Sequence, residues 1–267
     1  MKNLKVGFLG GGNMGGALAS AVASSPLSPE VLIFDIDTEK ADTLAKKIGG
    51  RAVPIDTLAE ESDFLFLGVK PQVMQSAVTP LVPILAERKE RPVLVTMAAG
   101  LSIEKIKSFT KALCPVIRIM PNTPVSVSMG MIPYAVCEEV SEDAVSVFTM
   151  LLEKAGIVDP LKEGLIDAAC AVSGSGPAYV AMMAEALADG GVASGLPRDK
   201  AILYAAQTLA GTAALILGGE HPAILKDKVT SPGGTTIAGV GALENGGFRA
   251  AVENAVKAGY KRAKELS

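Results

Sequence analysis

Short apolar runs alternate with longer segments of mixed polarity through the first 140 residues. The apolar runs cover residues 4–9, 31–35, 63–69, 92–97, 116–120 and 131–136. Runs of this length that end at Gly, Pro or Asp are typical of buried strands in a parallel sheet. The segments between them predict crossover helices over residues 15–23, 38–48 and 72–85, and another from Ser102. For the helix over 38–48, Thr38 is the expected N-cap and Gly49-Gly50 the expected stop. This order predicts an α/β fold, a doubly wound and mainly parallel sheet with helices on both faces.

From about residue 143 the strand signals fade, and alanine-rich helical segments follow. They cover residues 177–193, 197–217, 234–244 and 249–266. Prolines stand near the starts of two of them and glycines follow several of their ends. We therefore place a boundary near Pro160, with an α/β domain over residues 1–160 and an all-helical domain over residues 161–267. The apolar surface of these helices predicts burial against a second subunit.

Composition and charge narrow the classes of function. The chain has 267 residues, of which 49% are hydrophobic and 20% charged, as in a globular protein with a sizeable core. Its net charge of −3, without a basic cluster or a tryptophan, argues against nucleic-acid binding. Cys114, Cys137 and Cys170 are far apart and form no CxxC motif, so we expect no disulfide framework and no metal site.

The N-terminus has some features of a secretory signal. Lys2 precedes the apolar run that starts at Leu4, Lys5 lies within that run, and residues 21–23 are Ala-Val-Ala, like a cleavage site. However, five glycines within residues 10–16 would break up the apolar helix of a signal peptide. No later apolar run reaches the ~18 residues needed to span a bilayer. We therefore expect a cytoplasmic protein without a membrane partner.

Residues 10–15, GGGNMG, satisfy the pattern G-x-G-x-x-G between a predicted strand and a predicted helix. Gly10 permits a tight turn, Gly12 lets a pyrophosphate approach the backbone, and Gly15 lets the helix pack on the strand. The helix N-terminus offers N–H groups and partial positive charge to phosphates. This predicts a dinucleotide site that contains Leu9, Gly10, Gly11, Gly12, Asn13, Met14 and Gly15.

The second predicted strand ends at Asp35, twenty residues after Gly15. A carboxylate there accepts hydrogen bonds from the adenosine ribose and repels a 2′-phosphate, which favours NADH over NADPH. The alternative is that Asp35 is a loop or capping acid, with Asp37 or Thr38 shaping this corner.

Three other strand ends carry unusual residues at the predicted carboxyl edge, where open α/β sheets bind ligands. Ala98 and Ala99 are small enough for a flat ring to approach, Lys70 supplies a charge, and Asn122 supplies an amide. The alternatives are a solvated loop lysine for Lys70 and an Asx turn for Asn122. The predicted cofactor contacts at these ends are Val69, Lys70, Pro71, Met97, Ala98 and Ala99.

Two clusters of hydroxyls and glycines interrupt the helical half, over residues 172–179 and 229–239. Each lies at a predicted helix N-terminus, where N–H groups bind an anion such as a carboxylate. Ordinary capping by Ser would explain the first cluster. The second, SPGGTT at 231–236, is richer in Gly and Thr than a cap requires and predicts a ligand site.

Seven motifs are spread along the chain: GFLGGGNMGGAL from residue 7, VKPQ at 69–72, AAG at 98–100, RIMPNTP at 118–124, LIDAACAVSGSGPAYV at 165–180, EALADGGV at 185–192 and LKDKVTSPGGTTIAG at 225–239. Through them the chain resembles the pyrroline-5-carboxylate reductase family over essentially its whole length. The resemblance implies reduction of L-1-pyrroline-5-carboxylate to L-proline with NADPH or NADH, the last step of proline biosynthesis. It also implies a Rossmann domain, a helical domain that interlocks in a homodimer, and dimers gathered into larger rings.

The resemblance also implies site residues. The substrate carboxylate and ring nitrogen would be held by Ser231, Gly233, Gly234, Thr235 and Thr236. Thr236 would be the catalytic residue, which orients the ring nitrogen or delivers a proton through a water. Asn122 and Glu163 match positions near the substrate, less specifically.

Two positions depart from the family pattern. Members often carry Ser or Arg near Asp35, and Asn is common on the adenosine side where this chain has Asp56. We predict that Asp56 contacts the cofactor, and that NADH is used at least as well as NADPH.

Two other functions fit part of the sequence. β-Hydroxyacid dehydrogenases also join a Rossmann unit to a helical domain, but their base is a helix-borne lysine in a G-x-x-x-K setting. Lys200 and Lys226 are available, and neither has that setting. The other alternative, a non-catalytic dinucleotide-binding regulator, would not need the SPGGTT stretch. The one histidine, His221, precedes Pro222 and predicts a helix start, so we do not expect it to act as a base.

Overall fold

The structure, a computed structural model, describes residues 4–266. Lys2, part of the signal-like N-terminus, lies outside this range. Within it, eight strands form one sheet: β1 Lys5–Leu9, β2 Glu30–Phe34, β3 Arg51–Ala52, β4 Phe64–Leu67, β5 Val93–Thr96, β6 Val116–Ile119, β7 Gly130–Val136 and β8 Gly156–Pro160. The strand order is β3-β2-β1-β4-β5-β6-β7-β8. The first six strands are parallel, β7 runs antiparallel to β6, and β8 runs parallel to β7.

Helices lie between the strands and fill the C-terminal part of the chain. Those between strands are α1 Asn13–Ala23, α2 Thr38–Ile48, α3 Ile55–Glu61, α4 Met74–Val78, α5 Leu81–Glu87, α6 Ile103–Phe109 and α7 Glu142–Leu152. Those after β8 are α8 Ile166–Ala169, α9 Gly176–Ala193, α10 Arg198–Leu217, α11 Pro222–Lys228, α12 Thr235–Asn245 and α13 Phe248–Leu266. The predicted fold class is confirmed, a mainly parallel sheet followed by helices.

The apolar runs form strands because both faces of the sheet are covered. Along β1, Val6 and Phe8 enter one hydrophobic core, and Leu9 enters the core on the opposite face. Phe8 stacks on Phe66 of the neighbouring β4, with ring centroids 4.6 Å apart. Such two-sided burial removes the polar alternation expected of a half-exposed strand.

Two helix predictions need correction. Residues 72–85 do not form one helix, because Pro80 has no N–H for the helical ladder, and α4 and α5 lie on either side of it. Thr38 is the first residue of α2 and not its cap. Asp37 caps this helix, since its carboxylate accepts a hydrogen bond from Lys40 N at 3.1 Å. The predicted end of α2 is confirmed, because Gly49 follows it with a φ of 69°.

The chain forms two compact units. The first contains residues 4–175 together with 259–266, and the second contains residues 176–258. Pro160, where we placed the boundary, is the end of β8, whereas the compact units divide at Ser175. The last turns of α13 belong to the first unit, and Lys264 there lies 3.4 Å from the Asp167 carboxylate of α8.

One described helix, α10, is long and apolar enough by length and composition to cross a membrane. This corrects the expectation that no later apolar run is long enough to span a bilayer: Gln207 and Thr208 interrupt the apolar residues of α10, but its mean hydropathy stays high. A single helix of this kind is weak evidence for a membrane span, because helices of soluble proteins pass the same test.

Candidate functional site

The glycine-rich turn joins β1 to α1 at the point where the winding of the sheet reverses, between β1 and β4. Gly10 has a φ of 102°, which side-chain-bearing residues rarely adopt. A Cβ on Gly15 would lie 2.3 Å from the carbonyl oxygen of Gly10, so the helix can approach the strand only because residue 15 is glycine. These are the roles expected of the first and third glycines of a dinucleotide-binding turn.

The turn fits a pyrophosphate. A Cβ built on Gly12 meets nothing within 4 Å, so the space over its backbone is open. Gly12 is also the N-cap of α1 and supplies no side-chain hydrogen bond to the first turn. The first N–H groups of a helix have no intrahelical acceptors, and together with the helix dipole they favour an anion. The donor set is therefore that of a phosphate cradle.

The predicted residues of this turn are not equally accessible. Asn13 is exposed and Met14 is half-buried, whereas Gly11 is buried and Leu9 lies in the core. Leu9 contributes through its carbonyl oxygen, which accepts a hydrogen bond from Gly68 N at 2.8 Å. This bond holds the carboxyl ends of β1 and β4 together.

Asp35 follows β2 and points toward the glycine-rich turn. Its Oδ2 accepts a hydrogen bond from Gly11 N at 2.8 Å, and its Oδ1 accepts one from Asp37 N at 3.1 Å. The Lys40 ammonium lies 3.7 Å from Oδ2, and the Asp35 side chain is only 11% exposed. Asp35 therefore braces the turn from the side of the β2–α2 corner, and each of its oxygens retains a second lone pair.

Other predicted cofactor contacts lie around the same edge of the sheet. Asp56 is exposed in the first turn of α3, the helix that follows the edge strand β3. Lys70 is exposed just after β4, where it precedes a short 3-10 turn that begins at Pro71. Val69 packs beside the turn, since its Cγ1 lies 3.2 Å from a Cβ built on Gly10.

The segment after β5 forms a tight turn. Leu101 N donates to the carbonyl oxygen of Ala98 at 3.4 Å, and Gly100 has a φ of 77°. A positive φ at the third position is typical of a type II turn and requires glycine there. Ala98 is buried, Met97 is half-buried and Ala99 is exposed, so Ala99 and the backbone are what this turn presents to a ligand.

Asn122 follows β6 and is 9% exposed. Its Oδ1 accepts a hydrogen bond from Met131 N at 2.9 Å, and its Nδ2 donates to Ser173 O at 2.9 Å. The side chain therefore ties the end of β6 to β7 and to the turn before α9. This differs from a local Asx turn, because both partners are distant in sequence.

Glu163 belongs to an ion network that we did not predict from sequence. Its Oε1 accepts a hydrogen bond from Ile103 N at 2.6 Å and lies 3.5 Å from the Arg118 guanidinium. Arg118 also donates to Asp167 at 2.7 Å, and both side chains are at least 93% buried. Arg118 stands in the motif RIMPNTP, and a charged residue within an otherwise apolar strand was the available signal. The network gives Glu163 a structural role, and its substrate contact stays a prediction.

The first hydroxyl-rich cluster serves the backbone. The chain makes a π-helical turn over Cys170–Gly174, and the Ser173 hydroxyl donates to Ala169 O at 2.9 Å. Ser175 N donates to Cys170 O at 2.9 Å. The cluster is thus a structured entry into α9, although the bonds differ from the serine N-cap that we considered.

The second cluster lies in the second unit, just before α12. Gly234 is the N-cap of this helix and offers no side-chain hydrogen bond, and Gly233 has a φ of 68°. Gly234 N donates to Ser231 O at 3.1 Å, which closes a turn. Thr235 is exposed and Thr236 half-buried on the first turn of the helix. Hydroxyls beside uncapped N–H groups at a helix N-terminus suit a carboxylate.

The basic side chains of the second unit show no arrangement for proton abstraction. Lys200 is exposed, and Lys226 pairs with the adjacent Asp227 at 2.6 Å. The prediction for His221 is confirmed. It is the N-cap of α11, Pro222 is the first helical residue, and the imidazole accepts a hydrogen bond from Ala223 N at 3.3 Å.

Two different family models match the N-terminal and the C-terminal part of the chain, in keeping with an α/β part followed by a helical part. The family model for pyrroline-5-carboxylate reductase dimerisation matches residues 163–266. The family model for coenzyme F420-dependent NADP oxidoreductases matches residues 5–100, which include the glycine-rich turn and Asp35.

Relatives match essentially the whole chain. Pyrroline-5-carboxylate reductase from Synechocystis is 44% identical over 269 residues, which span 99% of this chain and 98% of the relative. The Arabidopsis thaliana enzyme of the same name is 40% identical over 270 residues, which span 100% and 96%.

Solved structures of the same family share the fold of this chain over its full length. A pyrroline-5-carboxylate reductase from Coxiella burnetii has a TM-score of 0.90 at 30% identity, over 100% of this chain and 99% of that one. Plasmodium falciparum pyrroline carboxylate reductase, solved with NADP bound, has a TM-score of 0.88 at 30% identity with the same coverage. With its glycine-rich turn, its SPGGTT helix start and full-length relatives at this level of identity, the chain belongs to the pyrroline-5-carboxylate reductases.

Proposed function

We propose that this chain reduces L-1-pyrroline-5-carboxylate to L-proline with a nicotinamide dinucleotide bound at the glycine-rich turn, and that the residues before and on the first turn of α12 hold the substrate. The observation that carries the proposal is that two helices start from a glycine N-cap, which leaves their first N–H groups without a side-chain partner and open to a ligand. One follows Gly12 in the first unit and the other follows Gly234 in the second. A dinucleotide and an imino acid each carry the anionic group that such a terminus binds.

Little acid–base chemistry is required of the protein. The cyclic imine accepts a hydride once its nitrogen is protonated, and the nicotinamide supplies that hydride from C4. The protein contributes mainly by holding the reacting groups in position, a proximity effect. We assign the substrate carboxylate to the N–H groups and hydroxyls of Ser231, Gly233, Gly234, Thr235 and Thr236. Thr236 orients the ring nitrogen or passes it a proton through a water.

A substitution at Thr236 tests this assignment. Thr236→Ala is expected to lower kcat/KM by about 10–100-fold, the ~1.4–3 kcal/mol of a hydrogen bond that strengthens in the transition state. Thr236→Ser keeps the hydroxyl and should recover most of the activity. Equal activity of the alanine variant and the unchanged protein would remove Thr236 from the mechanism.

We propose further that NADH is used at least as well as NADPH. Asp35 places a carboxylate at the end of β2, where the ribose hydroxyls of a dinucleotide bind and where a 2′-phosphate is repelled. The two values of kcat/KM, measured at one pyrroline-5-carboxylate concentration, test this proposal. A value for NADPH more than tenfold above that for NADH would refute it.

We propose that a second copy of the chain covers the helical unit. The buried residues that form the core of this unit are Ala188, Ala201 and Ala205, a small core for 83 residues. Its surface carries a hollow of about 400 Å³ lined largely by Met, Leu, Phe, Tyr and Ala side chains, among them Met182 and Leu243, which are 68% and 51% exposed. Apolar surface of this kind marks an interface. Light scattering should give at least twice the mass of the chain, and a monomer at micromolar concentration would refute the proposal.

Two finer proposals concern assembly, which the family resemblance implies, and cellular location, which we inferred from the N-terminal glycines and the cysteines. We expect dimers to assemble into a larger ring, which the mass from light scattering also tests, since a dimer alone would contradict it. We expect the protein in the cytoplasm, in keeping with three cysteines that are unpaired within the described residues. Cell fractionation tests this location, and recovery from a membrane or secreted fraction would contradict it.

A further inference from the structure

We infer that Lys40 determines how this chain treats the 2′-phosphate of a dinucleotide, so that Asp35 does not exclude NADPH. The inference rests on the proposed cofactor site and adds a residue to it. Lys40 lies on the first turn of α2, and its ammonium is 3.7 Å from Asp35 Oδ2. An acid alone at this corner rejects a 2′-phosphate, whereas an adjacent cation offsets its charge and binds the phosphate.

The side chains of Asp35 and Lys40 differ in how firmly their neighbours hold them in place. The Asp35 side chain is 11% exposed and is held by hydrogen bonds from Gly11 N and Asp37 N. The Lys40 side chain is 45% exposed, and within residues 4–266 its ion pair with Asp35 is the contact that orients it. A lysine ammonium on a flexible stem can turn from a carboxylate toward a nearby phosphate at small cost. The carboxylate is thus fixed and the cation is movable.

The surface beside Lys40 leads to the glycine-rich turn. Lys40 and Lys47 line a hollow of about 450 Å³ on the outer face of α2. Lys47 and Leu44 also line a second hollow, of about 460 Å³, which reaches Gly11, Gly12 and Asn13. A charged group attached to a ligand on the turn would therefore meet a surface with two lysines.

The acidic groups at this corner show why a cation matters. Asp37 and Glu39 line the same hollow as Lys40. The Asp35 carboxylate lies next to the Lys40 ammonium. Asp37 is engaged as the cap of α2. Three carboxylates would repel a phosphate dianion, so its binding depends on the cation nearest to them.

Binding of two nucleotide fragments tests the inference without catalysis. Adenosine 2′,5′-bisphosphate and adenosine 5′-monophosphate differ by the 2′-phosphate alone, and calorimetry on the full-length protein gives the affinity ratio. Lys40→Ala is expected to lower the ratio of bisphosphate to monophosphate affinity about tenfold, or ~1.4 kcal/mol. Lys40→Arg keeps the cation and should keep most of the ratio. Lys46→Ala removes an exposed lysine of the same helix that lines neither hollow, and should leave the ratio unchanged.

The outcomes separate this inference from the proposed function. An unchanged ratio in Lys40→Ala, or an equal loss in Lys46→Ala, would overturn the role of Lys40 even if the chain reduces pyrroline-5-carboxylate. A tenfold loss specific to Lys40→Ala would support the role even if that reduction failed. Higher salt should also lower the ratio of bisphosphate to monophosphate affinity, because salt screens an exposed contact between Lys40 and the 2′-phosphate. A ratio independent of salt would argue against an ionic contact.

Discussion

Replacing Gly12 with alanine should block the cofactor without disturbing the fold. Gly12 has a φ of −62° and a ψ of −178°, an extended conformation that alanine adopts. The added Cβ would meet no protein atom within 4 Å. Alanine is a poorer helix cap than glycine but restricts the unfolded chain, and these opposing effects are each at most about 1 kcal/mol. We therefore expect the melting temperature to change by no more than ~4 °C.

The effect on the cofactor should be much larger. The Cβ would occupy the open space over the backbone of the turn, where we propose that the pyrophosphate binds. We expect the loss of one or two N–H hydrogen bonds to a charged phosphate, at ~1.5–3 kcal/mol each. A total loss of ~1.5 kcal/mol weakens binding about tenfold, and a loss of ~3 kcal/mol weakens it roughly 100-fold. Fluorescence titration with NADH measures the dissociation constant, and thermal unfolding without cofactor measures stability.

A second glycine of the same turn provides the contrast. In Gly15→Ala the Cβ would lie 2.3 Å from the carbonyl oxygen of Gly10, so the fold itself must shift. We expect a loss of about 3 kcal/mol, at the upper end of overpacking costs, and a melting temperature lower by roughly 6–12 °C. If Gly12→Ala bound NADH within threefold of the unchanged protein, the turn would not be the phosphate site.

Two further predictions concern buried ionisable groups. Arg118→Met should destabilise the protein by about 3 kcal/mol in chemical unfolding, because the buried Asp167 carboxylate loses its 2.7 Å partner. Arg249→Met removes an exposed pair with Glu244 and should have a much smaller effect on the free energy of unfolding. Equal losses of stability in the two variants would contradict a special contribution of the buried network. Burial raises the pKa of the Cys114 thiol to about 11, so the folded state holds this proton more tightly than the unfolded chain. The associated stability is present below pH 9 and is lost as the pH rises from 9 through 11. Cys114→Ala should remove that part of the alkaline loss, and an unchanged pH profile would contradict the reasoning.

The sequence was most informative where the physical cause is local. Residues 6–9 and 64–67 contain no polar side chains because both faces of β1 and β4 are covered, and such runs are visible directly in the sequence. The end of α2 at Gly49 was predictable because the capping chemistry acts within a few residues, whereas its cap was assigned one residue too late, to Thr38 instead of Asp37. The glycine-rich turn was predictable for the same reason, since Gly10 and Gly15 meet constraints within one turn.

Elements that depend on distant partners were harder to predict. Strand β3 has only two residues and exists because Arg51 and Ala52 pair with β2. Strand β8 ends in Asp159 and Pro160, residues with low strand propensity, and is held by β7.

In the candidate site, too, local features were predictable from the sequence and contacts between distant residues were not. Asn122 was predicted to matter from its position, but its partners Met131 and Ser173 lie 9 and 51 residues away, and no sequence period indicates them. Arg118 and Asp167 are 49 residues apart, so their pairing appears only in the structure. The substrate role of the SPGGTT stretch came from family resemblance, because a helix start alone specifies an anion and not an imino acid.

We propose that the glycine-rich turn and the start of α12 serve one reaction. The most direct measurement mixes the purified protein with L-1-pyrroline-5-carboxylate and NADH or NADPH, follows the loss of reduced-nicotinamide absorbance, and quantifies L-proline by chromatography. We predict that cofactor is consumed and proline formed in equal amounts, that both cofactors support the reaction, and that Gly12→Ala and Thr236→Ala each slow it. A protein that binds the cofactor but forms no proline with either one would contradict the account.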